Sequence, residues 1–279
     1  MTTWNDAVEP KPEPIPPMGW LRAICRAFVL IGLVFGGLVI LLLLRMIERP
    51  IFGLGRPVTP YITQFVCRNG LRILRIPLHV TGEPLQGQAA VVANHTSWLD
   101  IFVLNASKRI YFVSKSEVAG WPGIGWLARA TGTLFIKRER AQAHAQTKIM
   151  QERLLVGHKL LFFPEGTSTD GQQVLSFKTT LFESFMAPEL RATLQVQPVS
   201  VVYCAPTGAP KQFYGWWGDM EFATNLFTTL AAPRQGSINV IYHSALKVAD
   251  FADRKALARA SEDAVRAGHT KLLGRGSAG

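Results

Sequence analysis

The hydrophobic positions of this chain fall into one long run followed by a series of short ones. Residues 27–44 form an uninterrupted apolar stretch. At ~1.5 Å per residue, a helix of that length approaches the ~30 Å hydrocarbon core of a bilayer. Arg22 and Arg26 flank one end; Arg45, Arg49 and Arg56 flank the other. The excess on the C-terminal side predicts a membrane segment whose main domain stays on the cytoplasmic side of the inner membrane. A re-entrant hairpin satisfies the same pattern, so the segment either crosses the bilayer or dips into it. The run is long for a signal peptide, and no small-residue cleavage site follows it. Residues 1–17 are rich in Pro, Glu and Lys and lack an apolar period, which predicts a disordered tail.

Beyond the long run, short apolar stretches alternate with amphipathic ones. Strands are predicted over 89–93, 109–113, 133–136, 160–163, 196–203 and 238–242. Helices are predicted over 98–106, 139–156, 178–186 and 251–267. This alternation predicts an α/β fold: a mixed, largely parallel sheet flanked by helices, with an N-terminal membrane helix or hairpin. Residues 61–76 read as a further helix with Arg68, Arg72 and Arg75 near one face, either against anionic headgroups or simply solvated. Pro198 sits inside a strand pattern, which predicts an edge strand or a bulge. Trp216 and Trp217 lie in an aromatic loop over 214–219, suited to a membrane interface or to core packing. The resulting division is a tail (1–17), a membrane-anchoring segment (18–50), a catalytic domain (51–267) and a Gly-rich flexible tail (268–279).

Charge and cysteine usage narrow the partners. A net charge of +11 suits nucleic acid, anionic lipid or an acidic protein. The basic residues are spread out and resemble no nucleic-acid module, so with a membrane segment present, lipid is the expected partner. The 3 cysteines, Cys25, Cys67 and Cys204, lie far apart and lack metal-ligand spacing. They read as reduced thiols in a cytosolic domain, with no bound metal.

The candidate chemistry begins where the predicted strand 89–93 ends. Asn94-His95-Thr96-Ser97-Trp98-Leu99-Asp100 follows it, and Ser97 looks like a helix start. A neutral imidazole takes a proton from an alcohol, and a carboxylate on its other nitrogen fixes the tautomer and stabilises the imidazolium. Residues five apart on a straight helix lie roughly 140° apart. His95 and Asp100 therefore meet only if His95 lies in the turn and Asp100 in the first helical turn. Ser97 to Asp100 also fits a capping box, so a purely structural reading of the same residues stands beside the catalytic one.

Three further blocks follow: Gly132-Thr133-Leu134-Phe135-Ile136-Lys137-Arg138, then Phe163-Pro164-Glu165-Gly166-Thr167-Ser168, then Val196-Gln197-Pro198-Val199. In this order and spacing the four blocks resemble those of the glycerolipid acyltransferase family, over roughly residues 77–202. The resemblance implies that His95 is the general base and Asp100 its orienting partner. It implies that Arg138, Glu165 and Gly166 bind the acceptor, with Thr167, Ser168 and Lys178 nearby. The last block would shape the acyl-chain site. No bound cofactor is implied; acyl carrier protein thioester or acyl-CoA is the co-substrate, and an acidic carrier protein suits the basic surface.

Two departures are informative. Members acting on lysophosphatidic acid commonly carry Arg after the Thr, where this chain has Ser168. That difference removes a bidentate phosphate donor. Thr180 also stands where Gly is usual. The variant pattern resembles the branch that completes ornithine lipid, a phosphorus-free lipid. The expected activity is acyl transfer from a thioester to the hydroxyl of lyso-ornithine lipid or lysophosphatidic acid. Two other classes compete: a non-catalytic membrane lipid-binding protein, and a lipid hydrolase, which the missing Gly-x-Ser-x-Gly elbow disfavours.

Overall fold

The alternation of buried and exposed runs resolves, in a computed structural model describing residues 4–10, 13–137 and 143–276, into eight strands and eight helices. In chain order these are α1 (Pro17–Phe52), α2 (Thr59–Leu74), β1 (Leu78–Thr81), β2 (Ala89–Ala93), α3 (Asp100–Ser107), β3 (Tyr111–Lys115), α4 (Ile124–Thr131) and β4 (Leu134–Ile136). Then follow α5 (Ala143–Leu155), β5 (Leu160–Phe162), α6 (Pro188–Arg191), β6 (Gln195–Cys204), α7 (Phe222–Ala231), β7 (Ser237–Tyr242), β8 (Leu246–Lys247) and α8 (Arg254–Gly276).

The sheet runs β1-β7-β6-β2-β5-β3-β4, and β8 pairs with β6. Only the β6/β7 and β6/β8 pairs are antiparallel, so the sheet is mixed and largely parallel, as the alternation predicts. All of β2 is buried, which explains its unbroken Ala-Ala-Val-Val-Ala sequence. Its odd and even positions serve two cores. Val91 and Ala93 face a cluster with Leu71, Val103 and Val201, while Ala90 and Val92 face one with Met150, Leu154 and Leu257.

Several elements differ from expectation. The Pro198 strand is not an edge: β6 lies between β2 and β7. Pro198 is tolerated there because β8 stops pairing at Val196 and β7 begins at Val199. Its carbonyl faces this junction and accepts from His243 N at 3.0 Å, so its missing N–H falls where the ladder is already interrupted. Residues 178–186 form a 3-10 turn over Thr180–Phe185 rather than an α-helix. A three-residue period stacks Phe182 and Phe185 on one side, and both bury themselves against Phe162.

The ends are more ordered than their composition implies. Helix α8 continues through Gly268 to Gly276, where a frayed tail was expected. Trp4, in the stretch expected to be disordered, is buried against Trp217 at a ring separation of 6.3 Å. Tyr214 and Trp217 are buried, so core packing prevails for the aromatic loop.

Helix α1 is long and apolar enough to cross a membrane, and most of its apolar stretch faces away from the domain. It is nevertheless fastened to the domain. Arg26 donates at 2.8 Å to the carbonyls of Leu230 and Ala232, at the end of α7, and Arg22 donates to Ala231. Gly37 lets α2 approach closely: a Cβ there would lie 2.4 Å from Val66. At the other end Glu48, 4% exposed, accepts from Val58 N at 2.7 Å, Thr59 N at 3.1 Å and Thr59 Oγ1 at 2.6 Å. A side chain of α1 thus satisfies the open donors at the start of α2. Arg68 of α2 is occupied, donating to Ala106 O at 2.8 Å, and Arg75, just past the end of α2, adopts the left-handed region (φ 60°).

Replacing Glu48 with Ala strands buried donors, at a cost of about 1–3 kcal/mol. The thermal midpoint of the detergent-solubilised protein is expected to fall by several degrees, while Glu48→Gln, which keeps an acceptor, recovers part of the loss. An unchanged midpoint in the alanine variant would show that this junction contributes nothing.

Candidate active site

Three parallel strands leave the sheet together. Ala93 of β2 lies beside Val199 of β6, and Val92 lies beside Phe162 of β5. The chain segments after β2 and β5 therefore emerge side by side, as expected for a site at the carboxyl ends of strands. Asn94 stays in the sheet through its side chain. It donates to Val201 O and accepts from Val201 N, both at 2.8 Å. That pairing extends the ladder by one step and frees the backbone to turn.

His95 occupies that turn and Asp100 opens α3. His95 Nδ1 lies 2.7 Å from Asp100 Oδ2, which fulfils the geometric condition that the spacing imposes. The same oxygen accepts from Thr96 N at 2.9 Å and Ser97 N at 3.1 Å, while Ser97 Oγ accepts from Leu99 N at 3.3 Å. Only half of the expected capping box forms, and α3 begins at Asp100 without a side-chain cap. Oδ1 accepts from Tyr203 Oη at 2.5 Å. Asp100 is fully buried, whereas the His95 side chain is 21% exposed. With Nδ1 committed to the carboxylate, Nε2 is the nitrogen that can take a proton from outside.

Tyr203 was not foreseen. It lies at the far end of a strand whose apolar sequence hides it, and no local signal links it to Asp100. It reaches Asp100 because β6 extends past the end of β2. Burial, followed by the Asp100 charge, raises its pKa well above the ordinary tyrosine value, so it remains a donor. Phe163 was also missed as a positioning group: its ring stacks on His95 at 4.0 Å and 8°.

Glu165 lies beneath the turn. Its Oε2 accepts from His95 N and its Oε1 from Leu175 N, both at 3.1 Å, and it is 1% exposed. Burial pushes its pKa up to about 8, the two N–H bonds oppose the rise, and Asp100 adds to it. The loop it begins is locked to the histidine turn, with Thr169 N donating to His95 O at 3.0 Å. Gly171, at φ +75°, lies so close to Thr96 that a Cβ would sit 2.6 Å from its methyl group. Gly166, Thr167 and Ser168 are half-buried on this loop, and Thr167 Oγ1 turns back to Ser168 O at 3.3 Å. Lys178 is exposed, and its backbone N donates to Pro164 O at 2.9 Å. Lys137 follows β4 at the sheet edge; Arg138 lies outside the described residues. Among the described residues no three His, Cys, Asp or Glu side chains gather as metal ligands.

The sequence profile of the acyltransferase family matches residues 77–202, which span this site. Over 93% of the chain, and 95% of the relative, the sequence is 53% identical to a lyso-ornithine lipid O-acyltransferase of Rhodobacter capsulatus. The chain belongs to the acyltransferase family. A lyso-ornithine lipid O-acyltransferase of Pseudomonas aeruginosa is 34% identical to this acyltransferase over 89% of its length and 94% of the relative. The fold is shared with the crystal structure of a 1-acyl-sn-glycerophosphate acyltransferase from Thermotoga maritima. That structure matches with a TM-score of 0.63 over 92% of this acyltransferase and 95% of the other chain, at 20% identity.

Two outcomes follow from this geometry. Tyr203→Phe removes a donor from a buried carboxylate, concentrating negative charge beside the imidazole. The acyltransferase is expected to lose kcat by about tenfold with KM little changed. An unchanged kcat would separate Tyr203 from the histidine. For Glu165, between the ordinary 4.5 and about 8 the folded chain keeps a proton that the unfolded chain releases. Stability therefore falls as pH rises through that window, by up to roughly 1.4 kcal/mol per pH unit. Glu165→Gln should flatten this fall in urea unfolding at pH 5 and pH 8; equal slopes in both proteins would show that Glu165 is not the group responsible.

Proposed function

We propose that this acyltransferase moves a fatty acyl group from a thioester to the free hydroxyl of lyso-ornithine lipid, with His95 as general base. The 2.7 Å contact between His95 Nδ1 and the buried Asp100 carboxylate carries the reading. In the neutral ring Nδ1–H donates to Asp100, and Nε2 accepts the hydroxyl proton as the acceptor oxygen attacks the thioester carbonyl. The tetrahedral intermediate collapses by breaking the C–S bond. The imidazolium, stabilised meanwhile by Asp100, returns the proton to the departing thiolate. The thioester is already activated, so no acyl-enzyme intermediate is needed.

The acceptor assignment rests on Ser168 and on the names of the two relatives. A serine in place of arginine leaves this loop without a guanidinium for a phosphate monoester. An ornithine headgroup instead carries an amine and a carboxylate, and exposed Lys178 suits the carboxylate. Gly166, Thr167 and Ser168 offer backbone and hydroxyl groups beside His95, and Arg138 supplies a further acceptor contact. Glu165 contributes by holding the turn from below. The net charge of +11 favours acyl carrier protein over a neutral donor carrier, with acyl-CoA as the other thioester. We place the catalytic domain on the cytoplasmic side of the inner membrane; because Arg22 and Arg26 near the start of α1 and Glu48 near its end all bond that domain, α1 dips into the bilayer rather than crossing it.

An acceptor competition tests this. Membranes carrying the protein receive labelled acyl carrier protein thioester with lyso-ornithine lipid or with lysophosphatidic acid, beside membranes carrying His95→Ala. Label is expected in ornithine lipid, with the alanine variant reduced at least a thousandfold. Label in phosphatidic acid alone would overturn the acceptor, and full activity of the variant would overturn the base.

A further inference from the structure

At the amino ends of the strands, opposite His95, the surface opens into a cavity of about 390 Å³. Its wall holds Arg56, Lys108, Arg109 and Lys159, and among the described residues no carboxylate lines it. Lys159 directly precedes β5, and Tyr111, the first residue of β3, also contributes to the wall. Because β2, β5 and β3 run parallel, this places the cavity at the other end of the sheet from the histidine turn.

The cations bond neutral acceptors, and Glu48, the nearby acid whose field reaches Arg56, is already taken by Val58, Thr59 and Arg45. Arg56 donates to Ala130 O at 2.7 Å, Lys108 to Gln86 Oε1 at 3.0 Å and Arg109 to Gln64 Oε1 at 3.2 Å. All three acceptors are neutral. Burial and mutual repulsion lower the pKa values of Lys108 and Lys159, the latter chiefly by burial and then by Arg109. His158, also in the wall, is pushed down to about 4 by burial and then by Arg153 and Arg56, so it adds no charge at neutral pH. Four cations around one concavity, with a single acid behind Arg56 that is already bonded elsewhere, form a site that an anion completes.

The rim identifies the source of that anion. Phe52, the last residue of α1, is 54% exposed, as is Tyr61 of α2, and Val156 is 49% exposed. Ile47 and Ile51 continue the exposed apolar surface along α1. A soluble phosphate has no use for an apolar rim continuous with a membrane helix, whereas an acyl chain does. We propose that this cavity binds the phosphate of an anionic phospholipid headgroup, with the lipid chains lying along the end of α1.

The full-length protein in a neutral detergent tests the site, with short-chain phosphatidylglycerol and phosphatidylcholine as probes in equilibrium binding. Phosphatidylglycerol should bind at least tenfold more tightly than phosphatidylcholine. Lys108→Gln/Lys159→Gln should weaken its binding about twentyfold, and Lys108→Arg/Lys159→Arg should retain it, with circular dichroism unchanged in both. His95→Ala should bind as the wild type does, so the outcome is independent of the proposed chemistry. Equal binding of the two lipids, or an unaltered glutamine variant, would overturn the site. Inorganic phosphate matching phosphatidylglycerol would overturn the lipid as its source, and binding of an acidic carrier protein that depended on both lysines would assign the cavity to a protein instead.

Discussion

The Asp100 carboxylate is the point on which the site hangs. It is buried beyond the reach of water, and four donors converge on it: the His95 ring, the Thr96 and Ser97 amides and the Tyr203 hydroxyl. A buried charge is tolerable only when its oxygens are filled in this way. The arrangement simultaneously shapes the turn and orients the imidazole. Neither can be lost without disturbing the other, because they share a single pair of oxygens.

A second carboxyl group supports the same turn from the opposite side, under different electrostatics. Glu165 holds the His95 amide and the Leu175 amide, but burial favours its neutral form up to about pH 8. Two acids close to one histidine thus differ in setting: Asp100 is filled by four donors, whereas Glu165 accepts only two amides and burial pushes its pKa up. The loop from Glu165 to Gly171 therefore belongs to the histidine turn as a structural unit.

Much of this was readable from the chain, for physical reasons. The limits of β2 follow from its apolar run, and the meeting of His95 with Asp100 follows from the geometry of a strand feeding a helix. What could not be read was which way side chains point once distant segments assemble. Glu165, which the family resemblance implies as an acceptor contact, is buried and accepts from the His95 and Leu175 amides, bonds that no local pattern announces. Tyr203 is concealed in an apolar strand until β6 is laid beside β2. Pro198 argues for an edge strand until an interruption between two partners makes room for it. In each case long-range pairing overrode a sound local rule.

The way α1 is fastened has a kinetic consequence. Arginine bonds near its start, glycine-mediated contact with α2 and the Glu48 junction near its end leave the helix little freedom to swing against the catalytic domain. An enzyme held to a bilayer by such a helix keeps its active site at one height and one orientation. It then meets lipid substrates by lateral diffusion within the sheet of lipids. Its turnover would follow the mole fraction of acceptor in the surface, and adding inert lipid would slow it by dilution in two dimensions even at constant bulk concentration.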